Sequence, residues 1–314
     1  MDDPAGRLPG YDILGFGAVA VDELLYVDEY PPPERKVRVH RQLRQCGGLT
    51  GTALVAAARL GARCAYVGVL GDDELSRFAI DSLEREGIDL DHRVPRAEAR
   101  PAHSTIIVDE THKTRTIFAS IGEAMGADPQ LPPADLIRSA RVLLVDHHGL
   151  EGTLRAVRIA RESGVHVVAD FERNPGPPFP KLLAMVDHLV ISERFARELT
   201  GDLQSPVQRL LPQLWSPDRR VVVVTCGADG GWFQVGGPTG ALVRYPAFPV
   251  EVVDTTGCGD VFHGAYAVGV AEGQDVARCV RFASAVAALK ATQRGGQAGC
   301  PTRAVVEAFL SQRG

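Results

Sequence analysis

The stretch Val252–Ala265 reads VVDTTGCGDVFHGA, and it is the segment that decides the architecture of this chain. It follows a strand-rich region and opens a helical pattern. Gly257 and Gly259 allow backbone N–H groups to converge on one point, and the start of the following helix adds partial positive charge there. The segment therefore predicts an anion site formed by Gly257, Cys258 and Gly259.

Asp260 stands where the predicted helix begins, beside this anion site. A simple helix cap needs one Asp, Ser or Thr, but it does not need two glycines next to it. A carboxylate beside an anion site can accept the proton of a hydroxyl group that attacks a phosphoryl group. We therefore predict that Asp260 is a catalytic base and that Gly257, Cys258 and Gly259 stabilise the charge on the transferred group. The alternative is a capped helix after a Gly-rich turn.

The second half of the chain alternates between apolar, β-branched runs and helical patterns. The predicted strands are 141–146, 165–170, 188–192 and 220–227, and the predicted helices are 153–164, 193–201, 259–272, 275–290 and 302–312. Residues 232–235 and 241–245 are predicted to form an antiparallel pair at the sheet edge. This alternation is typical of an α/β fold in which an open, mostly parallel sheet carries helices on both faces.

The first half adds segments of a different kind. A strand at 11–17, a helix at 50–60, a buried strand at 64–71 and a helix at 73–87 fit the same α/β core. Residues 24–30, 36–43, 103–109 and 114–120 instead alternate apolar and polar side chains, the period of half-exposed strands. We predict one domain over 1–314, with a small β-sheet lid formed by strands at about 22–43 and 100–120.

Composition excludes several classes of protein. The 314 residues are 45% hydrophobic and 23% charged, which is incompatible with disorder over most of the chain. The net charge of −5 gives no positive field for nucleic acid or an acidic membrane. No apolar run approaches the ~20 residues of a membrane helix, and the first ten residues do not resemble a targeting segment, so a cytoplasmic location is expected. The six cysteines form no CxxC pair, and neither a zinc site nor a disulfide framework is predicted from them.

Two other stretches of the sequence, at 15–20 and 146–148, suggest different functions. Residues 15–20 match a dinucleotide fingerprint, but the sequence VDELLYVDEYPPP that follows cannot continue as the required helix. A NAD-dependent oxidoreductase is therefore the weaker hypothesis. No lysine follows a glycine, so a Walker P-loop is absent. His147 and His148 follow Asp146 at a predicted strand end, where they suit substrate contact or a solvated loop better than joint metal binding, because neighbouring side chains on a strand diverge.

The signature resembles that of the ribokinase (PfkB) family of ATP-dependent carbohydrate and nucleoside kinases, which reads DTxGAGDxFxGA. Cys258 replaces its alanine, either as a small buried residue or as a thiol of lowered pKa. The resemblance covers nearly the whole chain, through the stretches 15–22, 47–48, 67–73, 225–230 and 282–301. The branch that contains sulfofructose kinase looks closest. The resemblance implies a ribokinase-like fold with a β-sheet lid.

The resemblance also implies roles for individual residues. The sugar would be held by Asp22, Lys36, Gly47, Gly48, Thr52, His147 and Asp260. The nucleotide would be held by Ser192, Thr225, Gly227, Gly230, Gly257 and Gly259, and a monovalent cation by Asp254 and Thr256. The family's NxxE motif, which is linked to Mg²⁺, would fall on 192–195, where both of its end residues differ, so no magnesium carboxylate is assigned there.

The predicted activity is transfer of the γ-phosphoryl group of ATP to a hydroxyl of a sugar or sugar derivative, with Mg²⁺ and with K⁺ as a candidate second cation. The resemblance implies a homodimer formed through the lids. One alternative is a nucleoside kinase, for which Tyr26, Tyr30 and Phe118 are candidates to form a base pocket. Another is a non-catalytic protein that binds nucleotide or sugar, although an intact Asp260 argues against it.

Overall fold

The computed structural model describes residues 10–112, 114–122 and 124–313. Its strands are β1 Ile13–Phe16, β2 Ala20–Val27, β3 Arg41–Gly47, β4 Cys64–Tyr66, β5 Val69–Leu70, β6 Val94–Pro95, β7 Ala102–Asp109, β8 Thr114–Ser120, β9 Val142–Asp146, β10 His166–Asp170, β11 His188–Ser192, β12 Val221–Thr225, β13 Gly231–Val235 and β14 Ala241–Tyr245. Its helices are α1 Leu49–Arg59, α2 Glu74–Arg85, α3 Ala134–Ser139, α4 Leu150–Glu162, α5 Phe179–Met185, α6 Glu193–Thr200, α7 Cys258–Ala271, α8 Val276–Ala291 and α9 Arg303–Ser311. None of the helices in these ranges is long and apolar enough to cross a bilayer.

Eight strands form the central sheet, in the order β14-β13-β12-β11-β10-β9-β1-β4. The β12–β13 and β13–β14 pairs are antiparallel and the other pairs are parallel, which confirms the predicted fold class. Strands β9 to β12 are runs of Val, Leu, Ile and Ala whose two faces are both buried. Val168 packs into the cluster that includes α1, α7 and α8, and Val167 into the cluster on the opposite face.

A second sheet of four strands has the order β3-β2-β7-β8. The strands predicted at 103–109 and 114–120 are present as β7 and β8, which pair antiparallel. The strand predicted at 36–43 is wrong in its position: β3 begins at Arg41, and residues 32–40 are exposed. The three prolines at 31–33 cannot donate ladder hydrogen bonds, and the chain rejoins the sheet only where His40 N–H donates to the Tyr26 carbonyl (2.9 Å). Lys36 therefore lies in an exposed connection rather than on a strand.

The single strand predicted at 64–71 is also wrong, because it is divided in two. β4 joins the central sheet, whereas β5 leaves it and pairs with β6. The division falls at Gly68, where a Cβ atom would lie 2.4 Å from the Tyr66 hydroxyl oxygen. Helices α3 and α5 were not predicted; with 6 and 7 residues they are too short to display a helical period clearly.

Helix α7 is the buried centre of the fold. All ten residues from Val261 to Val270 are buried. Its closest neighbour is α1, because a Cβ atom placed on Gly264 would lie 2.1 Å from the Ala53 carbonyl oxygen. The two helix backbones are therefore in direct contact. This contact fixes the start of α7, which carries Asp260, relative to the start of α1 at Gly48–Leu49.

We expect Gly264→Ala to destabilise the protein by about 1–3 kcal/mol or more, because the added methyl group forces the two helices apart. Gly51→Ala on α1 is the matched control: its Cβ would lie 3.5 Å or more from any other described atom, and alanine favours a helix by roughly 0.5–1 kcal/mol over glycine. Urea unfolding of both variants measures the difference. Equal stability of Gly264→Ala and the wild type would show that this contact does not constrain the fold.

Candidate active site

The carboxyl ends of the central strands bring polar residues to one edge of the sheet. Asp146 ends β9 in register with Asp170 of β10, and Ser192 ends β11 in register with Thr225 of β12. Open α/β sheets bind their ligands at this edge. Both carboxylate oxygens of Asp146 already accept hydrogen bonds within the fold: Oδ2 accepts from Ala18 N–H (2.6 Å) and Oδ1 from His148 N–H (2.8 Å).

The predicted anion loop faces this edge. Gly257 has the positive φ (75°) that glycine tolerates, and α7 begins at the next residue. A Cβ atom on Gly259 would meet no described atom within 4 Å, so the first turn of α7 borders open space. The N–H of Cys258 was predicted to be part of the anion site, but the turn at Gly257 folds it back so that it donates to the Thr255 carbonyl (3.2 Å), which leaves the N–H groups of Gly257 and Gly259 for an anion. The first-turn N–H groups of a helix have no intrahelical partner and carry partial positive charge, as an anion site requires.

Cys258 is the point at which the sequence departs from the family signature. Burial raises the pKa of its thiol, and its Sγ lies 3.7 Å from the Ala287 carbonyl oxygen. These observations favour a small packed residue over a reactive thiol. The substitution therefore leaves the backbone of the loop as the functional element.

Asp260 lies in the first turn of α7 within a cluster of carboxylates. Burial raises its pKa well above the ordinary value, and the negative charges of Asp170, Glu172, Asp146 and Asp22 raise it further. Carboxylates brought together in this way resist simultaneous ionisation. The base predicted from the signature therefore has a raised proton affinity in the protein without ligands, which is the direction that proton abstraction requires.

Asp170 is a second carboxylate of this cluster that sequence analysis missed. It is buried, burial raises its pKa well above the ordinary value, and Glu172 and Asp146 raise it further. Its Oδ2 accepts no hydrogen bond from any described residue, and the nearest cationic candidate, His263 Nδ1, lies 3.2 Å away. The only signal in the sequence was an Asp closing a buried strand, the same position that Asp146 has on β9.

The residues present fit a divalent hard cation at Asp170 and Glu172. Mg²⁺ prefers carboxylate oxygens, and Asp170 offers a buried oxygen without a hydrogen-bond donor. Residues 192–195, where the NxxE motif would fall, make structural contacts instead. The Ser192 hydroxyl caps α6 by accepting from Phe195 N–H (3.3 Å), and Glu193 Oε1 lies 2.7 Å from a guanidinium nitrogen of Arg197.

The residues predicted for a monovalent cation do not fit one as they stand. Both carboxylate oxygens of Asp254 accept backbone N–H groups, from Thr256 (2.8 Å) and Gly295 (2.9 Å). Burial opposes ionisation of Asp254, but these N–H groups outweigh it and hold its pKa below the ordinary value. The Asp254 carbonyl oxygen accepts from Lys290 Nζ (2.7 Å), and the Thr256 hydroxyl accepts from Arg115 (3.0 Å). Two cationic side chains already contact these residues.

The four-stranded sheet β3-β2-β7-β8, which was predicted to act as a lid and is called the lid from here on, contributes a row of polar side chains. Gln45, Asp22 and Ser104 are direct neighbours on β3, β2 and β7 and therefore share one face of the sheet. Burial raises the pKa of Asp22, while hydrogen bonds from Ser104 and Gln45 oppose the rise. Gly47 leaves room for the Asp22 carboxylate in this position, because a Cβ atom on Gly47 would lie 2.7 Å from Asp22 Oδ2. The structure thus brings Asp22 and the glycine pair Gly47–Gly48 together, and their binding of a sugar stays a prediction.

Arg115 joins the lid to the anion loop. It is in register with Val108, which in turn is opposite Tyr26, so it shares the face of the lid that carries Asp22. Its Nη1 donates to the Thr256 hydroxyl (3.0 Å) and lies 4.0 Å from Asp254 Oδ1. No local pattern predicts this contact, because it joins residues 141 positions apart.

The remaining predicted residues differ in their surroundings. Thr52 is buried beneath the anion loop, with its methyl group 3.4 Å from the Cβ position of Gly257. His147 is buried, burial lowers its pKa to about 4, and its Nε2 accepts from Arg173 Nε (3.0 Å). Its Nδ1 therefore carries the proton and has no partner among the described residues, which leaves a donor for a ligand.

The turn predicted to hold the nucleotide follows β12 at the same edge. Gly227 and Gly230 both have positive φ (57° and 83°), and the Cys226 N–H donates to the Gly230 carbonyl (2.8 Å). A Cβ atom on Gly230 would lie 2.1 Å from the Tyr245 carbonyl oxygen, so only glycine fits. Thr225 is half-buried at the end of β12.

The carboxylate cluster has a measurable cost in stability. Because the pKa of Asp260 is raised on folding, the folded state holds a proton that the unfolded state releases above about pH 3.9. Stability contributed at this site is therefore lost as pH rises. We expect Asp260→Asn to unfold at higher urea than the wild type at pH 7–8, with a gain that shrinks towards pH 4.

The control for this effect is Asp135→Asn, whose side chain is 93% exposed. Urea midpoints at several pH values, without Mg²⁺ or nucleotide, measure both variants. A stability difference for Asp260→Asn that does not change with pH would rule out the raised pKa as its cause.

The chain is similar to proteins of known family. Residues 12–303 match the pfkB family carbohydrate kinase. The chain is 30% identical over 305 residues to the ribokinase of Bacillus subtilis, covering 96% of this chain and 99% of that protein. It is 30% identical over 304 residues to the ATP-dependent ribose-1-phosphate kinase of Halopiger xanaduensis, covering 96% and 98% of the two chains.

Among solved structures, the ribokinase of Thermotoga maritima matches with a TM-score of 0.81 and 25% identity, covering 96% of this chain and 99% of that one. These matches confirm the family resemblance drawn from the signature. Because they span nearly its whole length, the chain belongs to the pfkB family of carbohydrate kinases.

Proposed function

We propose that this carbohydrate kinase transfers the γ-phosphoryl group of ATP to a hydroxyl of a sugar or sugar derivative bound between the lid and the anion loop. The observation that carries the proposal is the polar row Gln45–Asp22–Ser104 on the lid, close enough to Asp260 that the charge of Asp22 raises the pKa of that base. A ligand rich in hydroxyl groups suits such a row, because each of its hydroxyls can both donate and accept.

The chemistry assigned to the site is a single displacement. Asp260 accepts the proton of the acceptor hydroxyl as its oxygen attacks the γ-phosphorus, and the bond from that phosphorus to the bridging oxygen of ADP breaks. The N–H groups of Gly257 and Gly259 stabilise charge on the transferred phosphoryl group, while that of Cys258 donates to the Thr255 carbonyl (3.2 Å). When bound, Mg²⁺ would neutralise phosphate charge, and Asp170 and Glu172 are the residues suited to hold it.

The donor nucleotide is assigned to the turn after β12. This turn lies beside the end of β11, where Ser192 caps α6, and it contains Gly227 and Gly230 directly after Thr225. A relative that is 30% identical is named as an ATP-dependent kinase, which supports ATP as the donor. The N-terminal turn of α7 suits the γ-phosphate, because helix N-termini favour anions.

A sugar is favoured over a nucleoside by the two faces of the lid. Phe118 is opposite Thr105, one residue out of step with the row at Ser104, so its side chain lies on the other face of the sheet from Asp22. Tyr26 is packed among Leu24 and Ile106 in the lid's own small core. Tyr26 lies on the face of Asp22 but is buried, so neither of these two rings is free to form a base pocket there; Tyr30, the third candidate, is 41% exposed and follows the end of β2. The narrower resemblance to the sulfofructose kinase branch, and a role for Lys36, remain predictions.

The homodimer implied by the resemblance is proposed to form through the lids. Ile117 and Phe118 are more than half exposed on β8, the outer strand of the lid. An exposed apolar edge strand is a surface that pairing between subunits would cover.

The test is ADP release from ATP and Mg²⁺ across a panel of ketoses, aldoses, sugar phosphates, sulfosugars and nucleosides. For the sugar that reacts, we expect Asp260→Asn to lower kcat by roughly a thousandfold while ATP still binds, because the base is lost. Asp22→Asn should instead raise KM more than it lowers kcat. Asp135→Asn is the control expected to match the wild type.

Two results would contradict the proposal. One is turnover of a nucleoside in preference to every sugar, which would move the activity to the alternative kinase. The other is ATP binding without transfer to any member of the panel, which would favour the non-catalytic binding protein.

A further inference from the structure

The most deeply buried cationic side chain of the described residues is a lysine that the mechanism above does not use. Lys290, near the end of α8, is 0% exposed. A buried ammonium group is strongly destabilising unless it has close polar partners. Its Nζ donates to the backbone carbonyl of Asp254 (2.7 Å), directly behind the anion loop. The position of this group calls for an explanation.

Lys290 does not form an ordinary ion pair with Asp254. The carboxylate of Asp254 is held by the N–H groups of Thr256 and Gly295, and the ammonium group contacts the backbone carbonyl of the same residue instead. Coordination by backbone carbonyl oxygens is how proteins hold a monovalent cation such as K⁺. Lys290 thus places a single positive charge where the resemblance had implied a bound cation.

The charge of Lys290 acts on the anion loop itself. It lowers the proton affinity of Asp254 and of the Cys258 thiol, the first residue of α7. The pocket around it is tight, since a Cβ atom on Gly299 would lie 3.3 Å from Lys290 Cε. A cation held at this point stabilises the loop and adds positive charge beneath the N–H groups that face the phosphoryl group.

We propose that the ammonium group of Lys290 is the resident cation of the anion loop, so that this kinase works without a bound K⁺ ion. The proposal rests on the function proposed above. Lys290 acts as a positioning residue: it holds the Asp254–Gly257 loop in the shape that the phosphoryl group requires. The chain itself supplies the charge, so no cation has to be taken from solution.

The test compares K⁺, Na⁺ and choline chlorides at equal ionic strength. We expect wild-type turnover to agree within about twofold in all three salts. Lys290→Met has a similar length without the charge, and we expect it to lose at least tenfold in kcat in choline and to regain part of this in K⁺ or NH₄⁺. Lys181→Met, an exposed lysine on α5, is the control that should behave as the wild type.

A second readout does not need activity. Thermal unfolding of Lys290→Met should shift upward in K⁺ relative to choline, whereas the wild type should show no such difference. If no sugar is phosphorylated but this stabilisation is present, the function is wrong and the cation assignment stands. Strong activation of the wild type by K⁺ over choline, or unchanged turnover of Lys290→Met in choline, would overturn the assignment.

Two histidines and an aspartate lie close together at the opposite end of the sheet. His166 and His188 begin β10 and β11, and Asp187 immediately precedes β11. His166 Nδ1 lies 3.4 Å from His188 Nε2 and 3.6 Å from Asp187 Oδ2, and all three atoms lie within 4.8 Å of one another. Two ligands of a tetrahedral metal, each about 2.1 Å from it, are about 3.4 Å apart.

The other polar atoms of these buried residues are already held. His188 Nδ1 lies 3.0 Å from the Tyr266 hydroxyl oxygen, and Asp187 Oδ1 accepts from Val167 N–H (2.7 Å). Such second contacts orient metal ligands. The side chain of His166 is 36% exposed, which gives access from solvent. Arg220 Nε lies 3.9 Å from Asp187 Oδ2 on a side chain that is 66% exposed, so it can move away.

We infer that His166, Asp187 and His188 form a site for a Zn²⁺-type divalent transition metal, remote from the kinase site. Two imidazole nitrogens and one carboxylate oxygen suit Zn²⁺ or Co²⁺ and do not suit Mg²⁺ or Ca²⁺, which take oxygen ligands. A metal there would join β10 to β11 and, through Tyr266, to α7. It would therefore stabilise the fold and leave the chemistry unchanged.

Titration of the purified full-length chain with Co²⁺, followed by its absorption spectrum and by displacement with Zn²⁺, tests the site. We expect one ion per chain, no thiolate charge-transfer band, and at least tenfold weaker binding in His166→Ala and His188→Gln. Arg220→Gln should bind more tightly, because a competing cation is removed. His92→Ala is the histidine control. Unchanged Co²⁺ affinity in His166→Ala, or a thiolate spectrum, would mean that the two histidines are only hydrogen-bonded to each other.

Discussion

The backbone contact between α1 and α7 is the constraint on which the rest of the molecule depends. Gly264 allows α7 to lie against the Ala53 carbonyl, and both helices begin at the ligand edge of the sheet. The start of α1 carries the glycine pair that admits Asp22, and the start of α7 carries the anion loop and Asp260. Two parts of the site that are more than 200 residues apart in sequence are therefore fixed by one helix crossing. This explains why Gly264 belongs to the signature, because only glycine allows this close approach to Ala53.

Electrostatics then divides the site into two halves. The carboxylates Asp22, Asp146, Asp170 and Glu172 all raise the pKa of Asp260, while the loop on the other side is bordered by a helix N-terminus, Arg115 and Lys290. The acidic half suits proton transfer and a divalent cation, and the basic half suits a phosphoryl group. Like charges held together oppose folding, so the acidic half depends on the large apolar clusters that cover both faces of the sheet for its rigidity.

The sequence allowed the fold class and the centre of the site to be predicted, because both depend on local patterns. Apolar strands alternating with helices indicate a parallel sheet, and two glycines before Asp260 indicate an anion loop. The residues that were missed act at long range. Arg115 contacts Thr256, which is 141 positions away in sequence. Lys290 looks in the sequence like any other residue of a helix. Asp170 differs from other carboxylates at strand ends only because one of its oxygens accepts no hydrogen bond from a described residue. The strand predicted at 36–43 was wrong for the opposite reason. The local alternation of apolar and polar residues indicated a strand, but residues 36–40 have no neighbouring strand within the described ranges with which to pair.

The contact between Arg115 and Thr256 links the position of the lid to the electrostatics of the loop. The same face of the lid carries Asp22 and Arg115, and Arg115 donates to the Thr256 hydroxyl. In the kinase proposed above, a lid that opens to admit a sugar would withdraw the Arg115 guanidinium group from the loop, and a lid that closes would return it. Binding of the acceptor and the positive charge beside the phosphoryl group would then be coupled through one sheet.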